Sequence, residues 1–391
     1  MREPTDPAAP ALARAEALFA DLSLATVTAW KAAHPGRPAI GHLPVYAPRE
    51  LIDACGALPV GITGGGDQID IVKGDACFQS YICHLPRSTV ELGLGGQLDP
   101  LDGMVFPSTC DVIRNLSGIW QILFPSKLSF YLDLPQSFED AGARFYRLQL
   151  EELADKLLQR GGLPLTPERL AASLRRYNEN RAAIARLYQL RAEAPWQVPA
   201  DECFVVVKAG NLLPPETHTS LVEEYLDGAR RRQRRAEDRI RVVIVGSFCE
   251  TPPLGLLRTL ERAGCYVVGD DLNSNARWIQ GDIDPGADPL EALVQAYLEQ
   301  STWSSVRYEH EKPRAEHLVE WVRRVRADGV IFAAPSFCDP ALLDQPPLSK
   351  ALEAAQIPFT LFKYAENTGQ FQSIREQVGT FSDSLRLWGA A

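Results

Sequence analysis

Short runs of apolar, largely β-branched residues alternate along this chain with longer stretches whose apolar positions recur every three or four residues. In "RPAIGHLPVYAPRELIDACGALPVGIT", residues 37–63, an apolar run reaches Gly41 and a proline-containing loop follows. Next comes a helical "RELIDACG" ending at Gly56, then a second run, "ALPVGIT". Residues 239–271, "RIRVVIVGSFCETPPLGLLRTLERAGCYVVGDD", repeat that order, with Gly246 ending the first run and Gly264 the helix. Continuous apolar runs separated by capped helices predict βαβ units and a parallel sheet covered on both faces. Gly56 and Gly264 stand where a helix C-cap needs a left-handed residue.

Each half then reaches a matching segment, "DGMVFPSTCDV" at 102–112 and "DGVIFAAPSFCDP" at 328–340. Gly41 to Gly246 spans 205 residues, Gly56 to Gly264 spans 208, and Cys110 to Cys338 spans 228. The halves therefore run in step, with an insertion in the second that fits best within residues 281–315, around "GDIDPGADP". The expected architecture is α/β: two similar doubly wound, flavodoxin- or Rossmann-like parallel-sheet domains from an old duplication, with a helical segment between them. The boundaries are an N-terminal domain with a leading helix at 1–138, the helical segment at 139–235, and a C-terminal domain at 236–391. Within the middle segment, Thr166 reads as an N-cap and Pro167 as the first helical residue. Leu170, Leu174, Tyr177, Ile184, Leu187 and Tyr188 form one stripe. Residues 139–193 thus predict a helical hairpin packed against the sheets.

The 391 residues exceed what one core usually supports. A 46% apolar and 23% charged composition is that of an ordinary folded protein. No run of about 18 uncharged apolar residues exists, so no membrane span is expected. The first residues carry no cleavable apolar core, which points to the cytoplasm and disfavours a periplasmic binding protein. A net charge of −10 argues against a general nucleic-acid binder.

There are eight cysteines, and in a reducing compartment structural disulfides are not expected. Cys55 and Cys265, beside helix-to-strand turns, read as core packing, as do Cys203 and Cys249. Cys110 and Cys338 differ, because each directly follows a predicted strand. Ligands of open parallel sheets bind outside the carboxyl ends of the strands. If the two domains face each other, both thiols approach one point in the cleft. Cys83 in "YICHLPRSTVELGLGG" is a third candidate, and Cys77, six residues earlier, a fourth. Thiolates so placed suit iron–sulfur clusters or zinc. No C-x₂-C pair occurs, so the residues alone leave a metal site and plain packing both open.

Other features have two readings each. The run "GARRRQRRAEDRIR", with Arg230, Arg231, Arg232, Arg234, Arg235, Arg239 and Arg241, is a solvated face or linker, or else a docking patch for acidic groups. His84 is a surface or capping residue, or a proton donor. Asp270 and Asp271 end a strand and serve structural hydrogen bonds or a substrate. "GITGGGDQID", residues 61–70, is not followed by a helix as a dinucleotide fingerprint would be. It reads as a flexible loop, or as a place of close backbone approach to a ligand.

The segments "YAPREL", "CHLPRS", "STCD", "VVGDDL", "SFCDP" and "GQFQSIREQVGTFSDSL", in this order, resemble the 2-hydroxyacyl-CoA dehydratase family, which includes subunits of ATP-dependent benzoyl-CoA reductase. The similarity runs from about residue 35 to residue 387. "CFQSYICHLPRSTVELG" is most similar to the benzoyl-CoA reductase branch, on the side of its C (gamma) subunits. The resemblance implies a [4Fe–4S] cluster in the interdomain cleft, held by Cys83, Cys110 and Cys338, with Cys77 as a further ligand or neighbour. It implies low-potential single electrons delivered to the ring of benzoyl-CoA, giving a cyclohexadiene carbonyl-CoA in anaerobic aromatic degradation. Ring reduction needs protons as well as electrons, and His84, next to Cys83, is the candidate donor. The partners implied are a homologous cluster-bearing subunit, an electron-activating ATPase and ferredoxin. The chain has no G-x-x-x-x-G-K-[ST] and so supplies no P-loop of its own. The alternatives are a 2-hydroxyacyl-CoA dehydratase subunit, which expels a hydroxyl group, and a non-catalytic relay or scaffold subunit. Lys363 stands where the dehydratases tend to be acidic, which favours the reductase side. Glu366 is the residue that could compensate.

Overall fold

The computed structural model describes residues 6–247, 251–272, 277–304, 306–307, 314–365 and 371–388. Cys249, Glu366 and part of the "VVGDDLNSNARW" stretch lie outside the described residues.

The chain starts with helices α1 (Ala9–Phe19) and α2 (Ala25–Ala33), then winds a first sheet. This comprises β1 (Ala39–His42), α3 (Arg49–Ala54), β2 (Leu58–Gly61), α4 (His84–Leu94), β3 (Gly103–Pro107), α5 (Asp111–Leu123) and β4 (Leu128–Leu132). Four helices follow: α6 (Asp140–Gln159), α7 (Pro167–Glu193), α8 (Ala200–Lys208) and α9 (Pro215–Arg230). The second sheet begins with β5 (Ile240–Val245), α10 (Leu254–Arg262) and β6 (Cys265–Asp270), and continues with β7 (Gly329–Pro335) and β8 (Phe359–Tyr364). The strand orders are β2-β1-β3-β4 and β6-β5-β7-β8, all pairs parallel. Both sheets are doubly wound with the flavodoxin-type order, as the repeated pattern predicts. In each, the order reverses between the first strand and the third, so β3 and β7 are equivalent.

The punctuation is as expected. Gly56 has φ of +71° and Gly264 of +92°, the left-handed values that close α3 and α10. Thr166 Oγ1 accepts from the Arg169 N–H at 3.3 Å, with Pro167 opening the helix. The six stripe residues of α7 are all buried. However, α6 and α7 diverge instead of pairing closely: both rest on α3 and on the helix Pro289–Gln295. The leading α1 packs on α8 and α9, and its Ala11 and Ala15 share a core with Val242 and Ile244 of β5.

The insertion in the second half crosses to the first. Ile283, Leu293 and Tyr297, with Trp278 just before the insertion, pack in one core with Tyr46, Tyr146 and Leu150. The Tyr46 hydroxyl donates to the Thr302 carbonyl at 2.7 Å and lies 2.8 Å from the Ser304 hydroxyl. Helix α7 ties the halves from another side. Arg181 pairs with Glu50 of α3 and Arg191 with Asp270 of β6, both at 2.5 Å and all four side chains buried. Among the described residues, no helix is long and apolar enough to cross a membrane.

Candidate functional site

The carboxyl ends of β3 and β7 carry the two repeated cysteines. Cys110 is the N-cap of α5, and Cys338 is the N-cap of the helix Asp339–Ala354. In the first domain, the Ser108 N–H bonds the Leu132 carbonyl at 2.9 Å and its hydroxyl accepts from the Leu134 N–H at 2.8 Å. This pins the turn that presents Cys110. In the second domain, the Cys338 thiol donates to the Ser247 hydroxyl at 3.6 Å, bridging the ends of β7 and β5 where the strand order reverses.

Burial pushes both thiols up from the ordinary cysteine value. At Cys110 it outweighs the N–H groups of Ile113 and Val112, and at Cys338 it outweighs the Ala341 N–H and Ser247. The helix N-termini therefore do not make these cysteines thiolates. Cys83 is the N-cap of α4 and is half-buried. Cys77 ends a one-turn 3₁₀ segment, Gly74–Ala76, and is also half-buried.

This geometry corrects the cofactor expectation. Among the described residues, no three or more of Cys, His, Asp and Glu come close enough together to hold a metal ion. Cys83, Cys110, Cys338 and Cys77 thus do not assemble the ligand set of a [4Fe–4S] cluster. The physical reason is placement: Cys110 and Cys338 cap helices of different domains, Cys83 caps a third helix, and Cys77 closes a separate 3₁₀ turn. Alkylation should show the upward push on the two strand-end thiols. With iodoacetamide near neutral pH, Cys77 and Cys83 are expected to react first, and Cys110 and Cys338 to lag by about tenfold or more. Peptide mass spectrometry that finds Cys110 and Cys338 labelled first would contradict it.

His84 opens α4 and is buried, not the surface residue its position suggested. A second histidine escaped the sequence reading. His42 ends β1, is fully buried, and has its ring held neutral; burial and the Arg49 charge push it down to about 3. Its Nε2 is buried without a partner. The only sequence signal was a polar residue at the close of an apolar run.

The two aspartates divide. Asp270 takes Arg191, the Tyr188 hydroxyl at 3.2 Å and the Leu272 N–H at 3.0 Å, which is the structural reading. Burial raises it, but Arg191 and Arg277 outweigh that and hold it below the usual carboxylate value. Asp271 accepts from the Gly246 N–H at 2.7 Å and from Arg314 at 3.1 Å. Both aspartates line a cavity of about 380 Å³ at the carboxyl end of β6, together with Arg277, Trp303, Arg314, His317 and Trp321. That volume is in the range of small-molecule sites. Trp303 stacks on His317 at 5.9 Å and 27°. Arg277 donates to the Asp270 carbonyl at 3.0 Å and lies 3.5 Å over the Tyr188 ring.

The arginine run is largely spent inside the chain. Arg232 is buried against Asp6 and Glu202, Arg239 pairs with Glu237, and Arg241 donates to the carbonyls of Ala192, Val325 and Arg326. Lys363 is exposed on β8. Cys55, Cys203 and Cys265 are buried packing residues, pushed up by burial to about 12, 11 and 12.

A family model described as "2-hydroxyglutaryl-CoA dehydratase, D-component" matches residues 44–385. A benzoyl-CoA reductase subunit of Thauera aromatica is 46% identical over 96% of this chain and 98% of its own length. The beta subunit of (R)-2-hydroxyglutaryl-CoA dehydratase of Acidaminococcus fermentans is 28% identical, covering 90% of this chain and 93% of the relative. The beta subunit of (R)-phenyllactyl-CoA dehydratase of Clostridium sporogenes is 26% identical, covering 90% and 92%.

Proposed function

This chain belongs to the 2-hydroxyglutaryl-CoA dehydratase D-component family of enzyme-complex subunits, and on that footing we propose that it serves in a complex of the benzoyl-CoA reductase kind. The carrying observation is the 46% identity that extends over nearly the whole of both chains, against 26–28% for the two dehydratase subunits. Its role there is to pair with a subunit of the same fold and to help hold the CoA ester. The 380 Å³ cavity supports that role: Trp303 and Trp321 offer aromatic faces, and Arg277, Arg314 and His317 offer hydrogen-bond donors. His84, buried at the start of α4 on the carboxyl side of the first sheet, is the candidate to deliver protons to the ring. An electron-activating ATPase with ferredoxin as its donor completes the set of partners this reading requires.

A second reading, a subunit of a 2-hydroxyacyl-CoA dehydratase, draws on the family description itself. Incubating the assembled complex with benzoyl-CoA and, separately, with a 2-hydroxyacyl-CoA ester decides between them. The expected result is loss of the aromatic absorbance of benzoyl-CoA, with no enoyl-CoA formed from the hydroxy ester. Water elimination from the hydroxy ester alone would establish the second reading. Trp303→Ala should raise KM for the CoA ester more than it lowers kcat.

A further inference from the structure

A small cavity of about 60 Å³ lies where the glycine-rich loop after β2 meets the end of α8 and residue Thr251 of the second half. Gly64, Gly65, Gly66, Lys208, Asn211 and Thr251 form its polar side, and leucines together with Asp21 close the other. That is room for a few waters, and hence for one tetrahedral oxyanion.

The loop has a defined conformation. Gly64 has φ of +69°, Gly65 is right-handed at φ −96° and ψ −6°, and Gly66 returns to φ +54°. Alternation of left- and right-handed residues turns successive N–H groups toward one concave side, the backbone arrangement known as an anion-binding nest. Among the described residues, the N–H groups of Gly64 and Gly65 have no acceptor. A Cβ on Gly64 would sit 2.2 Å from the Ser88 hydroxyl, so packing as well as φ demands glycine there.

Lys208 supplies an independent observation. Its ammonium donates to the Thr251 hydroxyl and lies 5.2 Å from the Phe19 ring centroid and 5.4 Å from that of Phe204. No carboxylate among the described residues is within ion-pair distance of it. Burial pushes it down to about 7, with Asp67 the one charge that opposes the shift. A partly buried ammonium flanked by two aromatic rings and a hydroxyl, with no carboxylate in contact, is open to an anion.

We infer that the Gly64–Gly66 loop and Lys208, with Asn211 and Thr251 beside them, form a binding site for a phosphate-type oxyanion. The N–H groups of the nest meet the anion's oxygens from one side, and the ammonium neutralises it from the other. The site stands apart from the acyl-CoA reading, since the cavity that supports that reading is lined by other residues.

Calorimetric titration of the full chain with inorganic phosphate, at ionic strength matched with chloride, tests it. Saturable binding is expected, and Lys208→Met should weaken it by about tenfold or more. In crystals, tungstate should give an anomalous peak between the loop N–H groups and Lys208 Nζ, a reading that does not require the variant to fold. Free CoA that displaces phosphate would identify the anion as a CoA phosphate. Phosphate binding unaffected by CoA would identify free phosphate or another phosphate ester. Absence of saturable binding, equal affinity in Lys208→Met, or tungstate bound only elsewhere would overturn the site.

Discussion

Asp270→Ala is expected to destabilise the folded chain by about 3–5 kcal/mol, the usual cost of stranding one partner of a buried ion pair. Arg191 has no solvent exposure, and its mate is the Asp270 carboxylate 2.5 Å away. Remove that carboxylate and the guanidinium keeps the face of Tyr188, 4.6 Å from the ring centroid, and the Cys203 thiol, neither of which carries a compensating charge, while two of its nitrogens already lack partners. The Tyr188 hydroxyl and the Leu272 N–H lose their acceptor as well. Asp270→Leu combined with Arg191→Met should recover much of the loss, because replacing both charges by apolar groups avoids the stranded cation. Denaturant unfolding of the single and double variants measures it. A single variant that loses less than about 1 kcal/mol would remove the structural assignment of Asp270 and return the residue to the substrate side.

That assignment shows how far sequence reasoning reached. The two sheets were legible because their signals are local: apolar runs of strand length, helices closed by Gly56 and Gly264, and a second copy of the pattern 205 to 228 residues on. The N-cap at Thr166 and the stripe on α7 were legible for the same reason. Asp270 and Asp271 were not separable, because what distinguishes them is their arginine partners, Arg191 and Arg314, which stand on helices placed long before and after them in the chain.

The cysteines failed in a different way. Their positions were read correctly, with Cys83, Cys110 and Cys338 each capping a helix that follows a strand or loop. What sequence could not supply was the balance of burial against the helix N-terminus. At Cys110 and Cys338 burial wins, and which side chains stand close enough to share a ligand is set by packing between the halves. The glycine-rich loop shows the converse. Its sequence excluded a dinucleotide fingerprint, but the alternating φ signs and the approach of Lys208 exist only once the two halves are packed.

The insertion was visible as a gap in the repeat, but its purpose was not, and the second large expected effect follows from it. Tyr46→Ala should cost about 3–5 kcal/mol, as loss of a fully buried aromatic side chain does. Tyr46 meets Trp278 edge-on at 5.8 Å and Tyr297 at 5.7 Å, both contributed by the second half. Its hydroxyl reaches the Thr302 carbonyl and the Ser304 hydroxyl. Tyr46→Phe keeps the ring and should cost only about 1 kcal/mol. The difference between the variants isolates the aromatic contact across the halves. Because that contact joins two sheets with separate cores, its loss should also broaden the unfolding transition or split it in two. Urea unfolding followed by tryptophan fluorescence and by circular dichroism would show non-coincident curves for Tyr46→Ala and coincident ones for Tyr46→Phe. Coincident curves with near-native stability in Tyr46→Ala would mean that the insertion does not lock the halves, and that α7, through Glu50–Arg181 and Arg191–Asp270, carries the coupling instead.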